Sequence, residues 1–213
     1  MRAEGEPRML DASAFTGPWP FQDTTENTPA RLIRELTQAG LAGAALSPAD
    51  AILHPEPMAA NLRLLDALHA CGQDFLRVAV PVIDPSLPTW REHVDRCVAA
   101  GRGLVAGFKI VPNYQAYSIA EGFVDQLAEV LTERRLALCV QARMSDERGH
   151  HPLMKVPPVP PAEIAALAGR HPDLRVLVCG AYMSELGAYA KAPNVGVEMS
   201  MVESGRTLQQ ALQ

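Results

Sequence analysis

Seven short runs of apolar, mostly β-branched or aliphatic residues recur along this chain: MLDASAF (9–15), AGAAL (42–46), FLRVAVPVI (75–83), LVAGFKIV (104–111), LALCVQA (136–142), LRVLVCGA (174–181) and VGVEMSMV (195–202). Hydrophobicity is nearly continuous within each run rather than alternating. Strands of this kind are buried on both faces, as a parallel sheet requires. Parallel strands need long crossovers, and helical periods fill the intervals. Met58, Leu62 and Leu65 fall at i, i+4 and i+7, as do Phe123, Leu127 and Val130, so each trio shares a helix face. TPARLIRELTQAG adds an N-cap at Thr28, Pro29 at the first helical position and Gly40 just past the end. The repeating unit is strand, helix, strand, which predicts an α/β fold with right-handed crossovers.

Two architectures satisfy that unit, an open doubly wound sheet and a closed (β/α)8 barrel. The open-sheet nucleotide binder carries G-x-G-x-x-G directly after a strand, whereas GRGLVAG (101–107) has another spacing and precedes its strand. Polar residues and prolines gather after the strand ends, in SPAD, VIDPSLP, VPNYQAY and ARMSDERGHH, as the functional loops on one face of a barrel do. KVPPVPP (155–161), before the helical AEIAALAGR, reads as a rigid connector. The expectation is an α/β (β/α)8 TIM barrel forming one domain over residues 1–213. Seven strands are counted and ESGRTLQQALQ opens a seventh helix, so the barrel is expected to be truncated before its eighth strand. Open edges on the first and seventh strands would invite association with a second copy, a homo-oligomer.

The formal net charge of −5 over 213 residues, with Lys and Arg scattered, offers no footprint for a polyanion, so no nucleic-acid partner is expected. No apolar run reaches the 18 residues of a spanning helix, and MRAEGEPRML has no export h-region; no membrane partner and a cytoplasmic location are expected. Cys71, Cys97, Cys139 and Cys179 form no C-x-x-C pair and read as buried, reduced thiols.

DASAFTGPWPF, GFKIVPNYQAY, VQARMSDERGHHPL and HPDLRVLVCGA, in this order and spacing, resemble the amidohydrolase-related (amidohydrolase 2-type) TIM-barrel proteins, a group of metal-dependent hydrolases and decarboxylase-type lyases. The resemblance runs from about residue 9 to the end of the chain. It implies a site at the strand C-termini and a divalent ion such as Zn²⁺ that activates water or orients a carboxylate. The family's first strand reads Asp-x-His-x-His; here Asp11 matches, while Ser13 and Phe15 replace both histidines. Gln141 stands where the fifth-strand histidine is expected, Cys179 or Gly180 where the sixth-strand one is, and the eighth-strand Asp has no counterpart. Phe cannot ligate a metal, and neutral Ser or Gln substitutes poorly for imidazole or carboxylate. The chain therefore resembles a branch lacking the His-x-His ligands, with no metal and no cofactor expected. A zinc ion would require a non-standard set drawn from Asp11, His54, His150 and Glu198.

The densest polar constellation is Arg143, Asp146, Glu147, Arg148, His150 and His151 after the fifth strand. Arg143, Arg148 and Lys109 are candidates for holding a substrate carboxylate, and Asp146 with His150 for moving protons. The alternative is a self-paired surface loop. Lys109, late in an apolar strand, either faces the pocket mouth or snorkels to water, as an anion binder or as a partner of Glu198. Glu198 interrupts the seventh strand and reads either as the partner of Lys109 or Arg143 or as a carboxylate kept for proton transfer. Asn113, Tyr114 and Tyr117, with Trp19 and Phe21, could wall a flat organic acid or anchor their loops. His54 could reach the pocket or form a turn. No G-x-S-x-G elbow, Walker loop or H-E-x-x-H helix occurs, which leaves serine-hydrolase, nucleotide-hydrolase and zincin readings unsupported. The function expected is a hydrolase acting on a small carboxylated compound without the usual metal. A metal-independent decarboxylase or lyase of the same group, and a non-catalytic ligand-binding barrel, stay open beside it.

Overall fold

Each apolar run folds as a strand and each intervening helical period as a helix, in a computed structural model that describes residues 9–21, 26–72, 74–151, 153 and 155–201. The order is β1 (Leu10–Thr16), α1 (Pro29–Gln38), β2 (Gly43–Pro48), α2 (Met58–Ala70), β3 (Leu76–Ala79), α3 (Trp90–Gly101), β4 (Gly107–Ile110), α4 (Gly122–Glu133), β5 (Ala137–Gln141), α5 (Pro161–Arg170), β6 (Val176–Cys179), α6 (Leu186–Tyr189) and β7 (Val195–Val197). Every paired strand is parallel to its neighbour, in the orders β1-β2-β3 and β4-β5-β6-β7. The expected seventh helix lies outside the described residues. None of the described helices is long and apolar enough to cross a membrane.

The chain groups into two compact units, one of Met1–Val82 with Glu92–Ala106 and one of Ile83–Arg91 with Gly107–Gln213. In the first, the Thr28 side chain accepts the Arg31 N–H, Pro29 opens α1, and Gly40 follows the helix at φ +86°. These are the cap, start and stop that local sequence dictates. Leu64, Leu65 and Leu68 of α2 and Leu46 of β2 are buried to 3% exposure or less. The run 75–83 yields only a four-residue strand, because it meets Pro81. Beyond it the buried Asn61 amide takes the place of a neighbouring strand, donating to Val82 O at 2.7 Å and accepting from Val82 N at 2.9 Å.

β1 is irregular where it matters. Asp11 pairs with Ala44 but Ala14 pairs with Leu46, so one extra residue is accommodated between them, and Phe15 then pairs with Ser47. Paired residues of parallel strands share a side. Asp11 therefore lies on the Ala44–Leu46 side and Phe15 on the opposite one. Unbulged, residues 11, 13 and 15 would share a face.

In the second unit the register sorts residues into two faces. Phe108, Leu138 and Val176, then Ile110, Val140 and Val178, form two rows on one face, all at 3% exposure or less. Leu127, Leu131, Ile164 and Leu167 of α4 and α5 are fully buried with them. Each such side chain is worth about 1.5–3 kcal/mol of burial. The buried face of α4 is Val124, Leu127, Ala128 and Leu131 rather than the anticipated Phe123, Leu127 and Val130. The cause is Phe123, which turns away to pack edge-on against Tyr117 at 5.4 Å.

Candidate functional site

The other face of the four-stranded sheet carries the chemistry. Lys109, Cys139, Leu177 and Gly196 form one row across β4 to β7, and Gln141 and Cys179 begin the next, with Glu198 following β7 on the same side. These residues stand at or near the strands' C-terminal ends. Gly107 lies in the row below, where a Cβ would meet Ala137 O at 2.4 Å.

A continuous hydrogen-bonded chain crosses the four strand ends. Lys109, 1% exposed, donates from Nζ to Gln141 Oε1 at 3.2 Å, and Gln141 Nε2 donates to Arg143 O at 2.8 Å. The Arg143 Nη1 donates to Gly180 O, and Gly180 N donates to Glu198 Oε2 at 3.1 Å. Lys109 thus does not snorkel to solvent, the alternative its place late in the strand allowed. Its amine is held inside the unit by a neutral amide. Glu198 also accepts the N–H and hydroxyl of Ser200, which turns the chain out of β7 and ends the strand well short of residue 202.

Arg143, 4% exposed, is the most heavily engaged side chain. Its Nη1 and Nη2 fork takes the Glu185 carboxylate, with Nη1 to Oε2 at 2.8 Å, while Nε donates to Glu147 Oε1 at 3.1 Å. The guanidinium carbon lies 3.9 Å from the centroid of the Tyr182 ring, and Tyr182 OH donates to Glu147 Oε2 at 3.3 Å. Burial works against the Arg143 charge, but the hydrogen bonds and charges of Glu185 and Glu147 outweigh it and raise the pKa. Burial would likewise raise Glu185, yet the Arg143 hydrogen bond, the Tyr182 N–H and the Arg143 charge together lower it. Arg143 therefore clamps two βα loops together, with its planar edge already filled by carboxylate.

Asp146 and His150 are not joined. Asp146 accepts from Arg148 N, from Nε at 2.9 Å on both oxygens, and from Nη2; these hydrogen bonds drive its carboxyl well below the usual range. His150 Nε2 lies 2.8 Å from Ser145 Oγ, and among the described residues His150 Nδ1 is buried without a hydrogen-bond partner. The loop thus separates an Asp146–Arg148 ion pair from a serine–histidine pair. Ser145 was not singled out among its charged neighbours, and no spacing rule would have marked it. Glu185 and Tyr182 were missed because they stand in the next loop. Gly180, which takes φ +73° directly after β6, had a readable signal: a glycine at a strand end.

Asn113 and Tyr114 follow β4, and Asn113 Nδ2 donates to Pro157 O. With Tyr117, Phe123 and Pro158, Asn113 lines an open cleft of about 770 Å³ in this unit. Burial raises the Tyr114 hydroxyl, and burial followed by the Asp84 charge raises that of Tyr117. In the first unit, Trp19 packs edge-on against Phe21 at 5.4 Å, and His54 Nδ1 accepts the Glu56 N–H in an exposed turn.

Among the described residues, the donors at these positions do not fit the divalent ion that the family resemblance implies. Both amide atoms of Gln141 are engaged, and both Glu198 oxygens accept hydrogen bonds. Burial, with the neighbouring Cys179 next and Lys109 opposing, pushes the Cys139 thiol up to about 12, against thiolate formation. Asp11 faces away from Phe15 and accepts Ser13 N at 2.9 Å. Among the described residues no group of three or more His, Cys, Asp or Glu is placed to hold a metal ion.

No family model and no curated protein matches the sequence. By structure the chain is similar to an uncharacterised TIM-barrel protein from Bordetella bronchiseptica, at TM-score 0.69 and 11% identity over 96% of this chain and 81% of that one. It is also similar to a dihydrodipicolinate synthase from Rhodopseudomonas palustris, at TM-score 0.51 and 15% identity over 88% of this chain and 62% of that one. A weaker likeness, at TM-score 0.49 and 15% identity, is to an amidohydrolase from Mycobacterium avium subsp. paratuberculosis, over 80% of this chain and 58% of that one. The chain spans less than two thirds of the length of these two named enzymes. With parallel strands alternating with helices throughout, and with these structural neighbours, the chain has the α/β fold of the TIM-barrel proteins.

Proposed function

We propose that the protein is a hydrolase of the amidohydrolase-related kind that acts on a small carboxylated compound without a divalent metal. The observation that carries this reading is the Ser145–His150 pair in the loop after β5, in the unit whose strand ends also hold the buried Lys109 ammonium. In barrels of this class the loops at the strand C-termini carry the reacting groups. An imidazole within hydrogen-bond distance of a hydroxyl can take and return a proton, the minimum that acyl hydrolysis requires of a side chain. Lys109, 1% exposed and donating to Gln141, is a positioning residue beneath the strand ends. Arg143 is a positioning residue, because its fork holds Glu185 and binding an outside carboxylate would break that pair. Asp146, held by Arg148, leaves proton transfer to His150.

The test is hydrolysis of a panel of N-acyl amino acids and dicarboxylate monoesters by the purified chain with and without EDTA. Turnover is expected to be unaffected by the chelator. His150→Gln should lower it by about 10²–10⁴-fold. Loss of turnover with EDTA and recovery with Zn²⁺ would overturn metal independence. Saturable binding of panel compounds with no turnover would overturn the hydrolase.

A further inference from the structure

Resting on the hydrolase reading, the geometry points to Ser145 as a nucleophile, so that the reaction runs through a covalent acyl-enzyme rather than direct attack by water. Three observations converge. First, Ser145 Oγ sits 2.8 Å from His150 Nε2, so in the tautomer with its proton on Nδ1 the ring's lone pair faces the hydroxyl. A water activated by that nitrogen would have to displace the hydroxyl. Second, among the described residues His150 Nδ1 is buried without a hydrogen-bond partner, which leaves Nε2, on the side of the serine, as the ring nitrogen that meets another group. Third, the adjacent carboxylate, Asp146, is drawn off by Arg148, which leaves the hydroxyl as the partner of the base. Ser145 itself is half-buried in the loop after β5.

The step balances without a co-reactant beyond water. With the ring proton on Nδ1, Nε2 takes the hydroxyl proton as Oγ bonds to the acyl carbon. The bond from that carbon to the leaving oxygen or nitrogen breaks, and the leaving group departs with the proton held on Nε2. Water then adds to the acyl carbon, giving its proton to Nε2. The Oγ–carbon bond breaks, Oγ regains the proton, and the carboxylic acid leaves. The buried Nδ1–H has no acceptor in the described residues, so nothing steadies the imidazolium that forms in each half. Both halves are slowed alike, so the acyl-enzyme accumulates with an activated ester, whose leaving group departs without a proton and makes acylation the faster step.

The probe is p-nitrophenyl acetate incubated with the full chain, quenched in acid and read by intact mass and peptide mapping. One acetyl group per chain is expected, on Ser145, with a burst of p-nitrophenol of matching size. Ser145→Ala and His150→Gln should each abolish both. Ser145→Cys, which keeps a nucleophile in place, should restore an acetyl adduct at position 145 and shows that loss in the alanine variant is not misfolding. Acetyl on a lysine or histidine instead, or no adduct in the wild type, overturns the proposal. If Ser145→Ala still hydrolyses the panel compounds at the wild-type rate, the nucleophile falls while the hydrolase reading stands; if the wild type neither turns them over nor acquires acetyl, both fall.

Discussion

A methyl group at position 180 would stand 2.7 Å from the Arg143 carbonyl oxygen, in a backbone already at φ +73°. Neither the clash nor the dihedral can relax alone, because Gly180 O and Gly180 N are both committed to the chain that links Arg143 to Glu198. Gly180→Ala is expected to cost about 2–4 kcal/mol, combining left-handed strain with steric displacement. Urea unfolding measures it, and a loss below 0.5 kcal/mol would mean that the loop repacks freely. At this scale, legibility follows the reach of the interaction. Thr28, Pro29 and Gly40 announce α1 because caps act within a few residues of chain. The Ser145–His150 contact obeys no period, since both residues lie in an irregular loop whose path is set by the Arg143 clamp.

Between elements, the Arg143 pair with Glu147 and Glu185 fastens the loop after β5 to the loop after β6. Glu185 has its folded pKa depressed below the ordinary 4.5, so the stabilisation it brings is present above that value and is lost as pH falls through the folded pKa. Stability should therefore hold steady from neutral pH down to about pH 5 and drop below about 4.5 as carboxylates protonate. Glu185→Gln should flatten part of that fall and cost about 1.5–3 kcal/mol at neutral pH, because it removes a charged hydrogen-bond partner while Glu147 still pairs the guanidinium. Urea titrations at several pH values read both; an unchanged acid slope would remove Glu185 from the linkage. Patterning identified the elements more surely than their packing. The apolar run at α4 announced a helix, but not that Phe123 would leave the core for Tyr117, since a periodic count cannot weigh one ring contact against one turn of burial.

For the whole molecule, seven continuous apolar runs became seven parallel strands among the described residues, because burial on both faces leaves a mark on every residue of a strand. The grouping into two compact units left no such mark, being a property of contacts distant in sequence. That no fitting ligand set occurs among the described residues carries its own expectation. Excess Zn²⁺ should leave the melting temperature unchanged, and the dialysed protein should retain no stoichiometric metal by elemental mass spectrometry. A saturable rise of several degrees would show that the folded state binds the ion. The bulge in β1 bears on whether a metal site could be built there. Histidines placed at 13 and 15 would find Asp11 on the far side of the strand, so two substitutions alone could not rebuild the Asp-x-His-x-His face. One residue would first have to be deleted between Asp11 and Ala14. Exchanging side chains alone does not cross that step, so a site of that pattern on β1 would need a change of chain length as well as of residue type.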